Sequence, residues 1–322
     1  MTATNKTTKK QKKESISIVV PCYNEEDVIQ LCHDEITKVV DDLAYDFEMI
    51  YINDGSTDST LDILQSIRKK DKRVTVINLS RNFGKEAAMT AGIDNVTSDA
   101  LIILDADLQD PPALIPDMIK MWKDTDADVV YGQRIIREGE TWFKKFSANG
   151  FYKVINFIAS NVEIPKNTGD FRLMNRRSID ALVQLREKHR FMKGLFAWIG
   201  YKQVAFQYNR APRAAGYTKW SYTGLWNLAM EGIAGFSTVP LKVASFFGLL
   251  ISIMAFLFGA YIILKTLIAG VDVPGWATLT VMISVLSGIQ LLCIGILGEY
   301  IGRIFGEAKK RPLYFIEDIY KK

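Results

Sequence analysis

The sequence predicts an α/β protein: a doubly wound, mostly parallel sheet followed by a C-terminal pair of membrane-spanning helices. Three observations predict it. Short, continuously apolar β-rich runs alternate with helical patterns over the first two thirds of the 322 residues, and unbroken apolar runs mark strands buried on both faces. Acidic and amide residues gather just after these runs. From Val243 onward apolar residues dominate and charges nearly vanish for two long stretches.

The β-rich runs are Ser17–Val20, Glu48–Ile52, Val74–Asn78, Ala100–Leu104, Asp128–Tyr131, Phe171–Met174 and Val204–Gln207. Helical patterns fall at Glu25–Asp42, Asp58–Lys70, Lys85–Asn95 and Pro112–Asp124. Alternation of this kind implies parallel strands joined by crossover helices. In such sheets ligands bind beyond the carboxyl ends of the strands, so the residues just after each strand are expected to carry the chemistry.

Val243 to Leu264 is an apolar run of about 22 residues, long enough for one bilayer crossing. Ala277 to Ile301 is a second, interrupted only by Gln290 and Glu299. Basic residues at Lys242 and after Arg303 place both ends in the cytoplasm, against the mild counter-signal of Lys265. Gly298, Gly302 and Gly306 recur every four residues, a spacing that lets another helix approach closely, either within the hairpin or in a second copy. Two aromatic-rich amphipathic segments, one through Phe143, Phe146 and Phe157 and one through Tyr222, Trp226 and Phe236, read either as core-facing helices or as helices lying in the bilayer surface; the second leads straight into the first span. The expected organisation is a basic tail over 1–14, an α/β domain over 15–215, an interfacial linker over 216–240, a hairpin over 241–304 with spans at about 243–264 and 277–301, and a C-terminal cytoplasmic tail over 305–322.

A net charge of +4 does not indicate a nucleic-acid partner. Basic residues crowd both ends (Lys6, Lys9, Lys10, Lys12, Lys13; Lys309, Lys310, Arg311, Lys321, Lys322). They read as solvated tails or as contacts to anionic lipid, the latter worth about 1 kcal/mol per residue near the surface. Cys22, Cys32 and Cys293 have neither metal-ligand spacing nor a disulfide framework, which suits a reducing compartment. The basic N-terminus lacks the apolar core of a signal peptide.

Asp105-Ala106-Asp107 follows the apolar run Leu101–Leu104. Residues two apart in an extended chain point the same way, so two carboxylates converge at one strand end. They repel unless a cation lies between them, and oxygen-only ligation suits Mg²⁺ or Mn²⁺, with substrate phosphates completing the shell. A diphosphate ligand is implied. The first strand ends in Pro21-Cys22-Tyr23-Asn24-Glu25-Glu26 and the second in Asn53-Asp54-Gly55-Ser56-Thr57-Asp58. Each also reads alone as a turn or a helix cap; together with Asp105 they make one acidic rim.

In order and spacing these three segments, the third continuing through Leu108-Gln109-Asp110-Pro111-Pro112, resemble the family-2 glycosyltransferases of the GT-A fold, a Rossmann-like architecture. Ser80-Arg81-Asn82-Phe83-Gly84-Lys85-Glu86, Gly132-Gln133-Arg134 and Thr168-Gly169-Asp170-Phe171-Arg172-Leu173 narrow the likeness to the polyisoprenyl-phosphate glycosyltransferases. That group includes the dolichyl-phosphate mannose synthase type and the bactoprenol glucosyltransferase (GtrB) type, and the C-terminal hairpin favours the latter. The likeness covers about residues 16–311. It implies that Pro21, Tyr23, Asn24, Glu25, Asn53, Asp54 and Lys85 hold the nucleotide, that Asp105 and Asp107 bracket the metal and donor diphosphate, and that Asp170 lies near the transferred sugar. It favours UDP-glucose as donor, GDP-mannose next, and polyisoprenyl (undecaprenyl) phosphate as acceptor.

An acceptor phosphomonoester is already anionic near neutral pH and needs no general base, so His33 and His189 read as structural. It needs cations: Arg134, Arg137, Arg213 and Lys219 are the candidates, because Arg grips phosphate bidentately and Lys acts as a point charge. Ala214-Ala215 stand where the family often has bulkier residues, which blurs the acceptor contacts. Direct attack by the phosphate predicts inversion at the anomeric carbon. A processive polysaccharide synthase shares the core but needs a membrane channel, for which two helices per chain seem few unless copies assemble. A non-catalytic scaffold conflicts with the intact Asp105 and Asp107. The first strand is not followed by the glycine pattern of a dinucleotide-dependent dehydrogenase.

Overall fold

The computed structural model describes residues 13–135, 164–188, 190–209, 239–270 and 275–321. Its centre is an eight-stranded sheet built from β1 (Ser15–Cys22), β2 (Asp46–Asn53), β3 (Val74–Leu79), β4 (Ala100–Ile103), β5 (Val129–Arg134), β6 (Thr168–Asn175), β7 (Gln203–Tyr208) and β8 (Ile316–Tyr320). The order is β7-β5-β6-β4-β1-β2-β3-β8. The β1–β2, β1–β4, β2–β3 and β5–β7 pairs are parallel; β6 runs antiparallel to β4 and β5, and β8 antiparallel to β3.

The apolar runs are buried on both faces because successive side chains alternate between two cores. Ile18, Val20 and Tyr51 pack with Ile29 and Ile36 of α1 (Ile29–Val40), Leu64 of α2 (Thr60–Lys70) and Met118 of α4 (Ile115–Thr125). Val19, Ile50 and Ile52 pack on the other face with Met89 and Ile93 of α3 (Lys85–Asp94), Ile179 of α5 (Arg176–Val183) and Leu195 of α6 (Met192–Trp198). Gly92 allows α3 to lie close on the sheet, since a Cβ there would stand 2.4 Å from Val19 Cγ1.

Two expectations are corrected. Residues 305–322 are not simply a tail: Ile316–Tyr320 closes the sheet edge beside β3, and its segment is anchored where Ser80 N donates to Phe315 O (3.0 Å) and Asn78 Nδ2 to Glu317 Oε2 (2.8 Å). Ile-Glu-Asp-Ile-Tyr lies largely exposed at the sheet margin, with only Ile316 and Tyr320 half-buried, so it lacks the apolar signature of the inner strands. The first helix begins at Ile29 rather than Glu25, because the backbone of Asn24–Glu26 is bound to the loop after β2.

The C-terminal part consists of α7 (Val239–Ala269) and α8 (Trp276–Ala308). Val243–Tyr261 and Val285–Ala308 are apolar and long enough to cross a membrane. Phe256 (78% exposed), Ile268 (85%) and Leu291 (69%) point away from the protein, which an aqueous surface does not tolerate over such an area. A Cβ built on Gly298 or Gly302 meets nothing within 4 Å among the described residues. The two amphipathic segments expected near the bilayer surface lie outside the described residues.

Candidate active site

The rim at the carboxyl ends of β1, β2 and β4 is laced by the chain itself. Asn24, in a left-handed conformation (φ 52°), donates through its N–H to Ser56 Oγ (3.0 Å) and accepts from Thr57 N at Oδ1 (2.9 Å). Glu25 N donates to Thr60 Oγ1 (2.8 Å), and Glu26 N to Asp58 Oδ2 (3.2 Å). Two loops of the expected nucleotide site are therefore held as one wall. Tyr23 is 37% exposed on it, and Pro21 and Glu25 are half-buried.

Asn53 and Asp54 stand behind this wall, 1% and 2% exposed. Asn53 Nδ2 donates to Asn78 Oδ1 (2.8 Å). Asp54 accepts from Phe83 N (2.7 Å, Oδ1) and Gly84 N (2.9 Å, Oδ2). Its carboxylate fixes the loop that leads into α3. Gly55 is required between them: its φ is +61°, and a Cβ would stand 2.4 Å from Arg81 C.

Asp105 and Asp107 follow β4 on the same rim. Asp107 Oδ1 accepts from Gln109 N (3.2 Å). The Lys85 ammonium, at the start of α3, reaches Asp105 Oδ1 at 2.7 Å and Oδ2 at 2.9 Å, and Asp170 Oδ2 at 2.6 Å. Topology brings these three together: β6 is antiparallel to β4, so Asp170, near its start, arrives beside the end of β4. Burial alone would raise both carboxyl pKa values. At Asp170 the charges of Lys85 and Lys193 overcome it and hold the group well below the usual carboxylate range. At Asp105 burial, backed by the charge of Asp170, outweighs Lys85 and leaves it raised. Burial works against the Lys85 charge, but the two acids prevail and its pKa is raised.

Asp105 Oδ1 is buried, with the Lys85 ammonium 2.7 Å away and no further hydrogen-bond partner among the described residues. A hard cation would satisfy such an oxygen, and the pair Asp105 and Asp107 offers the all-oxygen donor set of Mg²⁺ or Mn²⁺. No cluster of three or more such ligands occurs among the described residues, so the pair would leave most of the coordination shell to water and substrate phosphates.

Arg134, expected to meet the acceptor phosphate, lies at the end of β5 with its side chain 14% exposed. Its Nη2 is 3.3 Å from both Asp110 oxygens, and Nε donates to the Tyr208 hydroxyl (3.3 Å), which in turn donates to Asp110. Gly169 leaves room for this guanidinium, since a Cβ would come within 2.7 Å of Nη2. Asp110 and Tyr208 were not singled out as site residues; Asp110 stands inside the quoted acidic segment, and Tyr208 gives no local signal. Arg137, Arg213 and Lys219 lie outside the described residues, as does His189. Glu86 is a further member of the site: burial and then the charge of Asp170 push its carboxyl up to about 8, and its Oε2 is buried with no hydrogen-bond partner among the described residues.

His33 is structural, its Nδ1 3.0 Å from the Tyr51 hydroxyl. The Cys22 and Cys32 thiols are buried, and burial raises both pKa values, so neither is a ready nucleophile.

The family model described as "Glycosyl transferase family 2" matches residues 17–183. An uncharacterized glycosyltransferase of Synechocystis sp. is 48% identical over 305 residues, covering 95% of this chain and 95% of its own. The bactoprenol glucosyl transferase of Shigella phage SfV is 43% identical over 303 residues, covering 94% of this chain and 98% of its own. Among solved structures, the glucosyl-3-phosphoglycerate synthase of Mycobacterium tuberculosis with Mn²⁺, UDP-glucose and phosphoglyceric acid covers 69% of this chain and 78% of its own at 21% identity and a TM-score of 0.47.

Proposed function

Because the chain belongs to glycosyl transferase family 2, we propose that it moves a single hexose, glucose from UDP-glucose, onto polyisoprenyl phosphate in one inverting step. The substrate classes follow the bactoprenol glucosyl transferases it resembles along almost its full length. The observation that carries the reading is one rim of acids, Asp105, Asp107 and Asp170, on a chain that also bears two exposed apolar helices. The helices keep the chain at a membrane, where a lipid acceptor is found. We place it in the cell membrane as a multi-pass protein, with both termini and the α/β domain cytoplasmic, and assign self-association to the open Gly298/Gly302 face.

In this reading Asp105 and Asp107 would hold a divalent cation, Mg²⁺ or Mn²⁺, which would supply positive charge for the diphosphate leaving group. Tyr23, Asn24 and Glu25 meet the nucleotide on the wall, while Asn53 and Asp54 set the position of that wall and of the loop before Lys85. Asp170 faces the sugar. The acceptor phosphate arrives already ionised, so no residue has to remove a proton from it. Arg134 offers it a cation from the floor of the site, with Arg137, Arg213 and Lys219 assigned to the same phosphate from the sequence pattern alone. The C-terminal segment fits a site close to the bilayer: Ile316, which pairs with Leu79 at the carboxyl end of β3, is the eighth residue after Ala308, at the end of α8. Eight residues span at most about 27 Å.

The test is a purified-protein assay with polyprenyl phosphate and a panel of nucleotide-sugars, with and without Mg²⁺ or Mn²⁺. We expect one glucose per lipid, a β linkage by NMR, loss of turnover on chelation, and at least a 100-fold loss in Asp107→Asn with an unchanged melting temperature. Undiminished turnover after chelation, a polymeric product, or retention of the α configuration would refute this reading.

A further inference from the structure

We propose that Lys85 is a built-in counter-cation that occupies Asp105 until a divalent ion and a nucleoside diphosphate arrive together, so that neither binds well alone. The inference rests on the functional reading above and concerns how the site loads.

Lys85 Nζ lies 2.7 and 2.9 Å from the two Asp105 oxygens and 2.6 Å from Asp170 Oδ2. One ammonium thus neutralises most of the repulsion between two acids that β4 and β6 bring side by side. It also stands where a metal bound to Asp105 would be. A divalent ion takes carboxylate oxygens at about 2.0–2.2 Å, and an ammonium on the same oxygens meets it as a like charge. The ion therefore has to displace Lys85 from Asp105. Arriving alone, it leaves a cation with only Asp170 for a partner. Arriving with a diphosphate, it supplies new anionic oxygens to which the freed ammonium can turn. The side chain is suited to that exchange: it is 42% exposed, on a flexible stem at the first residue of α3. Its backbone is not free to drift, because Asp54 holds the N–H groups of Phe83 and Gly84 just before it. Reciprocal linkage then requires the metal to tighten nucleotide binding by the same factor as the nucleotide tightens metal binding.

The experiment is Mn²⁺ binding to the full chain in detergent or nanodiscs, read by electron paramagnetic resonance or calorimetry, with and without UDP. Wild type, Lys85→Met and Lys193→Met are compared; Lys193 acts on Asp170 through its charge without the contact to Asp105. In Lys85→Met we expect Mn²⁺ affinity without UDP to rise at least 10-fold and the enhancement by UDP to shrink by a similar factor, with Lys193→Met close to wild type. Should Lys85→Met fail to fold by its melting profile, Lys85→Gln is read the same way. Unchanged or weaker Mn²⁺ binding in the Lys85 variants, or an equal gain in Lys193→Met, overturns the proposal while leaving the functional reading intact. Wild-type protein that takes up no Mn²⁺ at any UDP concentration overturns both.

Discussion

Arg134 and Asp110 form a buried ion pair beneath the acid rim, the guanidinium 3.3 Å from both carboxylate oxygens and Asp110 only 1% exposed. Tyr208 closes the network from β7. The pair joins the end of the acidic segment after β4 to the end of β5. Arg134 is therefore at once an acceptor candidate and the cation that balances the buried Asp110 charge.

Removing one member should cost more than removing both. Arg134→Ala is expected to destabilise the protein by about 3 kcal/mol, because it leaves the Asp110 charge buried. Asp110→Asn combined with Arg134→Gln should recover most of that loss. Denaturant or thermal unfolding of the solubilised variants measures it. If the double variant is no more stable than Arg134→Ala, the buried charge is not the source of the cost.

Asp54→Asn tests whether that residue acts by holding a loop. Asn presents one acceptor and one donor to two backbone N–H groups that now share a carboxylate. The lost hydrogen bond and the N–H left without an acceptor should cost about 1–3 kcal/mol. UDP affinity should fall with it, since the loop before Lys85 loosens. A variant with native stability and native UDP affinity would show that the loop does not depend on Asp54.

Glu86 predicts a pH dependence of stability. Its carboxyl titrates near 8 in the folded protein, against about 4.3 in an unfolded chain. The unfolded chain thus releases its proton first. Stability is undiminished below pH 4, falls as pH rises between about 4 and 8, and stays reduced above 8. Glu86→Gln removes this loss. Its melting temperature should match wild type near pH 4.5 and exceed it at pH 8.5 by at least 2–4 °C, the shift that about 1 kcal/mol produces, since a pKa difference of this size carries up to about 5 kcal/mol. Parallel melting curves at both pH values would contradict it.

Ending the chain after Pro312 should destabilise the α/β domain by about 2 kcal/mol or more. The cut removes β8, the Ser80–Phe315 and Asn78–Glu317 hydrogen bonds and the Tyr314 hydroxyl bond to Asp94 (2.7 Å), each worth roughly 0.5–1.5 kcal/mol. Unfolding curves that coincide with full-length protein would mean that β8 adds nothing to the sheet.

Strands β1 to β6 and helices α2 to α4 were legible because burial on two faces demands continuous apolar runs, and such runs can be read locally. The two long apolar helices were legible for the same reason. The place of Asp105 just beyond a strand followed from the apolar run before it, whereas Asp107 lies in the turn after β4, where the two-residue period of an extended chain no longer holds. The sequence alone therefore determined the layered core, the pair of long apolar C-terminal helices and which acids stand at strand ends.

Only the tertiary structure decided what those acids touch. Lys85 meets Asp105 and Asp170 across 20 and 85 residues of sequence, a contact created by β6 running antiparallel to β4. Arg134 meets Asp110 and Tyr208 because β5 lies between β6 and β7. Asp54 turned inward because two backbone N–H groups of a later loop outcompeted solvent for its carboxylate. Such contacts depend on strand order and direction, which hydrophobic periodicity does not encode. The edge strand β8 escaped because it lies largely exposed at the sheet margin and needs no continuous apolar run.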